Sequence, residues 1–306
     1  MTQDDARYNR LQSFLVRAPG EPPPRAPNLQ PPELGTVGRY RLLRQVGRGG
    51  ASTVYEAEDT KYGRRVALKM LTAGAGNPLH VARLQREAAI TAQLRHPNIV
   101  GVHDTGTVPN AEGQMVHFIA MDFIDGPSLA FRLKDASVPT AGLIRILADV
   151  ADAVAYLHAR DIVHRDLKPG NVLVDASGRG IVADFGLARS GPRAAVSLTG
   201  SHEILGTPQY MAPEQVEGRT KDIGPWTDVW SLGVILYQML TRRLPFIGRT
   251  VPEIQTRIVS EAPQPPSALV PGVDARLESL CLRALSRAPA GRPPDAAAFA
   301  EELRRA

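Results

Sequence analysis

The sequence predicts an α+β chain of two lobes, a small β-rich lobe followed by a larger, mainly helical one. Three observations predict it. From Tyr40 onward short β-like runs alternate with turns, and near Thr140 this texture gives way to long stretches with apolar residues at helical intervals. The length of 306 residues and a hydrophobic content of 43% suffice to fill a core of that size. Residues 1–38 stand apart, with seven of the chain's 26 prolines, including Pro22-Pro23-Pro24 and Pro31-Pro32. Such a segment buries little surface and reads as an extended or disordered tail, with Leu11, Phe14 and Leu15 as a partial helical pattern inside it.

In the first lobe, Tyr40 to Val46 and Ser52 to Ala57 read as strands joined by a glycine-containing turn, and Arg64 to Leu71 as a third strand. Pro78 to Leu94 is the helix of this lobe, because Val81, Leu84, Ala88 and Leu94 recur at roughly helical spacing and Pro97 lies beyond its end. His117 to Asp122 is a further strand, leading into Phe123-Ile124-Asp125-Gly126 as the hinge. In the second lobe, Leu143 to Ala159 carries Ile146, Leu147, Val150, Val154 and Leu157 on one face. Thr227 to Thr241 and Asp274 to Leu285 are two more core helices. Pro294 to Arg305, rich in Ala and Glu, closes the chain as a short helix.

Several function classes are disfavoured by composition. The single cysteine, Cys281 between two leucines, excludes an intrachain disulfide and a cysteine-rich zinc site, and reads as a small buried hydrophobe. No apolar run reaches the 18 or more residues a membrane helix needs. The acidic start Met1 to Asp5 lacks the apolar core of a secretory signal, so the expectation is a cytoplasmic protein. The net charge of +5 comes from scattered arginines without interleaved aromatics, which argues against a nucleic-acid partner.

The chemistry concentrates in His164-Arg165-Asp166-Leu167-Lys168-Pro169-Gly170-Asn171, followed at Asp184-Phe185-Gly186 by a second carboxylate, with β-like runs at Asn171 to Val174 and Gly180 to Ala183. Asp and Asn side chains supply hard oxygen ligands of the kind Mg²⁺ takes. Upstream, Gly47-Arg48-Gly49-Gly50-Ala51-Ser52-Thr53-Val54 fits a strand-turn-strand loop whose small residues let backbone N–H groups approach phosphate oxygens, and also fits a plain hairpin turn. Val66-Ala67-Leu68-Lys69 follows on a strand. Glu87 is the only acidic residue between Gly63 and His103.

Together these segments resemble the protein-kinase family over about Arg39 to Arg305: the HRDLKPGN and DFG runs almost letter for letter, V-A-I-K with Leu for Ile, and the glycine loop with Ser52 at its third glycine. The likeness is strongest to bacterial eukaryotic-type serine/threonine kinases, through Arg86-Glu87-Ala88, Val102 to Gly106 and Gly206 to Tyr210. It implies a kinase domain at 39–306, with an N-lobe at 39–124 and a C-lobe at 125–306. It implies ATP and Mg²⁺ as cofactors, with Mn²⁺ as an alternative ion, and transfer of the γ-phosphoryl group to Ser or Thr hydroxyls of protein substrates. By resemblance Asp166 orients the hydroxyl and takes its proton, Lys168 offsets γ-phosphoryl charge, and Asn171 and Asp184 hold the metal. Val46, Gly47, Gly49, Val54, Ala67 and Lys69 line the nucleotide from the N-lobe, Glu87 holds Lys69, and Met121, Asp122, Ile124 and Asp125 line it from the hinge. His164, a candidate base by its ordinary pKa, takes a packing role in the family.

The resemblance also implies regulation. Arg165 beside Asp166 marks the subgroup in which this arginine pairs with a phosphate on the activation segment between Asp184 and Glu214. Thr199 and Ser201 are the leading autophosphorylation sites, and Thr207 is expected beside Asp166 and Lys168. A transient homodimer would serve phosphorylation in trans. Asp228 is expected to bind the backbone of the catalytic run and Arg292 to pair with Glu214. Membrane-anchored relatives continue into a transmembrane helix and a sensor domain, so the input signal is expected to reach this chain by another route. A pseudokinase scaffold and a small-molecule kinase of the same fold are the alternatives.

Overall fold

The computed structural model describes residues 34–48, 52–71, 91–109, 115–184 and 208–306. Six strands form an antiparallel sheet: β1 (Thr36–Val37), β2 (Tyr40–Arg48), β3 (Ser52–Asp59), β4 (Arg64–Leu71), β5 (Val102–Pro109) and β6 (Met115–Asp122), in the order β1-β2-β3-β4-β6-β5. The sheet folds because its strands alternate. Tyr40 and Leu42 of β2 and Val66 and Leu68 of β4 point into a core shared with Ala57, Phe118 and Ala120, while residues between them face outward. Tyr40 meets Phe118 edge-on at 5.3 Å. The expected helix at Pro78 to Leu94 lies outside the described residues except for its last few.

The second lobe contains α1 (Leu129–Arg132), α2 (Thr140–His158), the hairpin β7 (Val172–Val174) and β8 (Gly180–Val182), α3 (Pro213–Val216), α4 (Pro225–Thr241), α5 (Val251–Ser260), α6 (Ala275–Ala284) and α7 (Ala296–Arg305). α4 is apolar nearly all round and is buried accordingly, from Thr227 through Tyr237 without interruption. It is the post around which α2, α6 and α7 pack. Each fully buried leucine or isoleucine of that core contributes about 1.5–3 kcal/mol. Caps set the ends of the shorter helices: Thr250, Asp274 and Asp295 each accept a backbone N–H of the first turn.

The lobe boundary expected at residue 124 lies in the connector between β6 and α1. Leu94 and Ile99, which precede it, pack into the second lobe's core. Val100 N–H donates to Val182 O, and Val182 N–H to Asn98 O, so this segment runs beside β8. The chain then crosses to the sheet at Gly101 and returns through Phe123 to Gly126. These two crossings are tied side by side: Asp122 N–H donates to Gly101 O at 2.9 Å, and Gly101 N–H to the Asp122 carboxylate at 2.8 Å. On its far side the connector is seated on β7, where Val174 N–H donates to Pro127 O, and a Cβ on Gly126 would lie 1.9 Å from Val174 O. Only glycine fits there.

Candidate active site

Strand register assembles the first half of the site. Gly47 pairs with Val54, Val54 with Lys69, and Ala67 with Met121. Residues directly opposite, or two apart on one strand, share a face. Gly47, Val54, Ala67, Lys69 and Met121 therefore look out from one side of the sheet, while Val66 and Leu68 fill its core. Val46 is the extra residue where the β2–β3 register shifts, and is 41% exposed. Gly49 and Glu87 lie outside the described residues.

The second half is built on the turn before β7 and the end of β8. Asn171 Nδ2 donates to Asp166 O at 2.8 Å and contacts the Asp166 carboxylate at 3.3 Å and Asp184 O at 3.4 Å. Lys168 Nζ donates to Asp166 Oδ2 at 2.7 Å, and Lys69 Nζ to Asp184 Oδ1 at 2.8 Å. The sheet's lysine and the hairpin's carboxylate thus close the cleft between lobes. Desolvation by neighbouring protein would raise the Asp184 carboxyl, whose side chain stays 46% exposed, but the Lys69 ammonium, with Lys168 farther off, outweighs it and holds Asp184 below the usual carboxylate range. Asn171 Oδ1 and Asp184 Oδ2 accept no hydrogen bond among the described residues. Two hard oxygens that no described residue engages suit a Mg²⁺ ion.

Two of these residues are conformationally strained. Arg165 has φ of +66° and Asp184 of +50°, in the left-handed region that non-glycine residues rarely occupy. The surroundings over-determine Arg165. Its N–H and that of His164 each donate to the Asp228 carboxylate at 2.8 Å, and its carbonyl accepts from Gln215 Nε2 at 2.8 Å. His164 is fully buried, and burial holds its pKa below the ordinary value despite nearby Asp228 and Asp166. A neutral imidazole accepting Asp166 N–H at 3.3 Å is a packing residue.

The protein kinase domain family matches residues 40–302, nearly all of the region that carries these features. This chain belongs to the protein kinase family. The kinase domain is 36% identical over 272 residues to the probable serine/threonine-protein kinase PknB of Bifidobacterium longum, covering 87% of this chain and 39% of that protein. It is 38% identical over 275 residues to the serine/threonine-protein kinase PknB of Mycobacterium leprae, covering 89% and 43%. For the protein of the same name from Mycolicibacterium smegmatis the figures are 37% over 267 residues, 87% and 42%. The chain spans about two fifths of the length of these curated relatives.

Several expectations about the kinase domain can be placed. Asp228 binds the catalytic run's backbone as described, and Arg292 meets Glu214 at 2.9 and 3.0 Å with both side chains wholly buried. At the connector, two of the residues expected to line the nucleotide have side-chain partners within the protein. Asp122 spends its carboxylate on Gly101 N–H and on His103 Nε2 at 2.7 Å, and Asp125 directs its own to Arg65 at 3.2 Å. Thr199, Ser201 and Thr207 lie outside the described residues. Sequence reasoning missed His158, whose Nε2 lies 2.9 Å from Asp228 while its Nδ1 accepts Ala296 N–H at 3.2 Å. It ties the catalytic run's anchor to α7, and no local pattern signals partners 70 and 138 positions away.

Proposed function

We propose that this kinase domain transfers the γ-phosphoryl group of ATP to Ser and Thr hydroxyls of proteins, with Mg²⁺ held by Asn171 and Asp184. The observation that carries the reading is the pair of ion pairs, Lys168 on Asp166 and Lys69 on Asp184, joined through the Asn171 amide. Phosphoryl transfer asks the protein mainly for positioning and charge compensation. Asp166 orients the hydroxyl and takes its proton, Lys168 offsets charge on the transferring group, and Lys69 holds the non-transferring phosphates. Bound Mg²⁺ would neutralise phosphate charge at Asn171 Oδ1 and Asp184 Oδ2. Serine/threonine selectivity is supported by Lys168 in its DLKPxN setting and by the names of the relatives.

In this reading the catalytic unit is 39–306, preceded by a tail at 1–38, and it works in the ATP-containing cytoplasm. Arg165 receives a phosphate placed on Thr199 or Ser201 by a second molecule in a transient homodimer. Among the described residues no helix is long and apolar enough to cross a membrane. Incubation with labelled ATP and Mg²⁺, beside Asp166→Asn, tests the reading: label appears on the wild-type chain and on an acidic or basic carrier protein, and not with the variant. Label only on a small alcohol would replace it with a small-molecule kinase, and no label at all with a scaffold. Autophosphorylation per molecule rises with enzyme concentration; a constant specific rate refutes transfer in trans.

A further inference from the structure

The face of the sheet that carries Val54, Ala67 and Lys69 ends, toward the connector, in a group of charges that phosphoryl transfer does not use. Glu56 is opposite Ala67 and two residues from Val54, Arg44 is opposite Glu56, and Arg65 is two residues from Ala67, so the three share that face. Glu56 keeps only 8% of its side chain exposed, and each of its oxygens is taken by a different arginine. Oε2 accepts Arg44 Nε at 2.7 Å, and Oε1 accepts Arg65 Nη1 at 3.2 Å. Arg65 turns its other terminal nitrogen to Asp125 Oδ2 on the connector, also at 3.2 Å. Both guanidinium groups lie over the ring of Phe123, Arg65 at 5.0 Å and Arg44 at 6.0 Å.

This array holds a stretch of connector that the backbone leaves loose. Between the ties at Asp122 and Pro127, Phe123 and Asp125 make no main-chain hydrogen bond among the described residues, and Ile124 accepts one only from Gly126. Side chains must therefore set its distance from the sheet. Arginine suits that task, because its rigid fork reaches two carboxylates at once, and Glu56, already pinned by Arg44, fixes where the fork points. A single side chain thus links β4 to the connector.

We infer that Arg65 is a positioning residue for the nucleotide: by holding Asp125 and Phe123 to the sheet, it sets the gap in which the base and ribose of ATP lie. The inference rests on the kinase reading above, which places the nucleotide between Val54 and Ala67 on one side and the connector on the other. One exposed ion pair of this kind is worth up to about fivefold in an equilibrium, and the effect weakens as salt screens it.

The test compares wild type, Arg65→Met, Asp125→Asn and the double variant. Methionine keeps an apolar stem on Phe123, and Arg44 keeps Glu56 paired, so no buried charge is stranded. Binding of ATP and of adenosine is measured by calorimetry, since adenosine carries no charge for Arg65 to attract. Arg65→Met is expected to weaken both ligands by the same factor, about three- to fivefold, and to raise KM for ATP likewise while kcat stays within about twofold. In the Asp125→Asn background the same substitution should add less than about twofold, because the pair it breaks is already gone. Loss of ATP affinity with adenosine unaffected would make Arg65 a charge felt by the phosphates and overturn the inference. Unchanged binding of both ligands, a lower kcat at constant KM, or equal losses in the two backgrounds would overturn it as well. Should Arg65→Met fail to fold, wild-type affinity for adenosine is followed as salt is raised: a fall supports the array, and a constant value overturns it. A wild type that binds neither ligand sinks the kinase reading and this inference with it, whereas binding indifferent to Arg65 sinks the inference alone.

Discussion

Removing Arg292 should be among the most damaging single changes in the second lobe, and the structure says why. Its guanidinium places all five N–H groups: two on Glu214, and one each on the carbonyls of Ser286, Trp226 and Arg287. It also lies 5.1 Å over the Trp230 ring. Arg292→Leu strips three backbone carbonyls of a donor and leaves the Glu214 carboxylate, at 0% exposure, with the Thr227 hydroxyl alone among the described residues. Breaking one side of a buried pair costs about 3–5 kcal/mol. For a domain of this size that lowers Tm by roughly 6–20 °C, at about 2–4 °C per kcal/mol. Glu214→Leu strands the opposite charge and should fall in the same range. The double variant removes both charges, so its loss should not exceed the worse single loss, giving a coupling of about 3 kcal/mol or more. Urea unfolding followed by tryptophan fluorescence measures this directly, because the chain's two tryptophans, Trp226 and Trp230, both touch Arg292. Single losses below about 1 kcal/mol, or losses that add to within about 0.5 kcal/mol, would refute the reasoning.

The Asp184 carboxyl is held low by Lys69, so its ionised form stabilises the fold fully above the ordinary value of 3.8 and is lost only as pH falls through the depressed one. In Lys69→Met burial acts with less opposition, and NMR titration should show Asp184 protonating at higher pH than in the wild type; an unchanged titration contradicts the pairing. Cys281 is wholly buried and burial pushes its thiol well up, so a thiol reagent should leave the native protein untouched and modify one group after unfolding. Rapid modification of the native chain would contradict the packing. Gly126→Ala drives a methyl into Val174 O, so thermal stability and nucleotide affinity should fall together, whereas a variant binding nucleotide like wild type would show that the connector yields.

How much could be read in advance depended on the range of the interactions. Strands β2, β3, β4 and β6 and helices α2, α4, α6 and α7 announce themselves by periodicity, with ends displaced by a few residues: α4 starts two residues early, with Pro225 at its first position. β5 was not read as a strand because Val102 to Pro109 contains Asp, Thr and Gly; it pairs at the sheet's edge, where a terminal Pro and polar side chains are tolerated. α5 carried a signal that passed unnoticed. Thr250 caps Glu253 N–H with Pro252 in the first turn, but only Ile254 and Ile258 are buried, too few for an apolar stripe to stand out. In the site, Asp166, Lys168 and Asn171 sit within one short run and were legible as a group. The clamps around them were legible only where a motif marked them, as at Asp228 and Arg292. His158 acts through contacts to Asp228 and Ala296, and Gln215 through one to the Arg165 carbonyl, all far apart in sequence.

The pairing of Gly101 with Asp122 bears on how the domain can move. Two of the places where the chain passes between lobes are zipped together by hydrogen bonds in both directions, one anchored to β8 through Asn98 and Val100, the other to β7 through Pro127. Two separated crossings would allow twist and shear as well as opening. Fused into one narrow ribbon on the hairpin that bears Asn171 and Asp184 at its ends, they leave the sheet one soft direction, a swing like that of a door. The lysine on the moving leaf and the carboxylate on the frame, Lys69 and Asp184, then act as its latch.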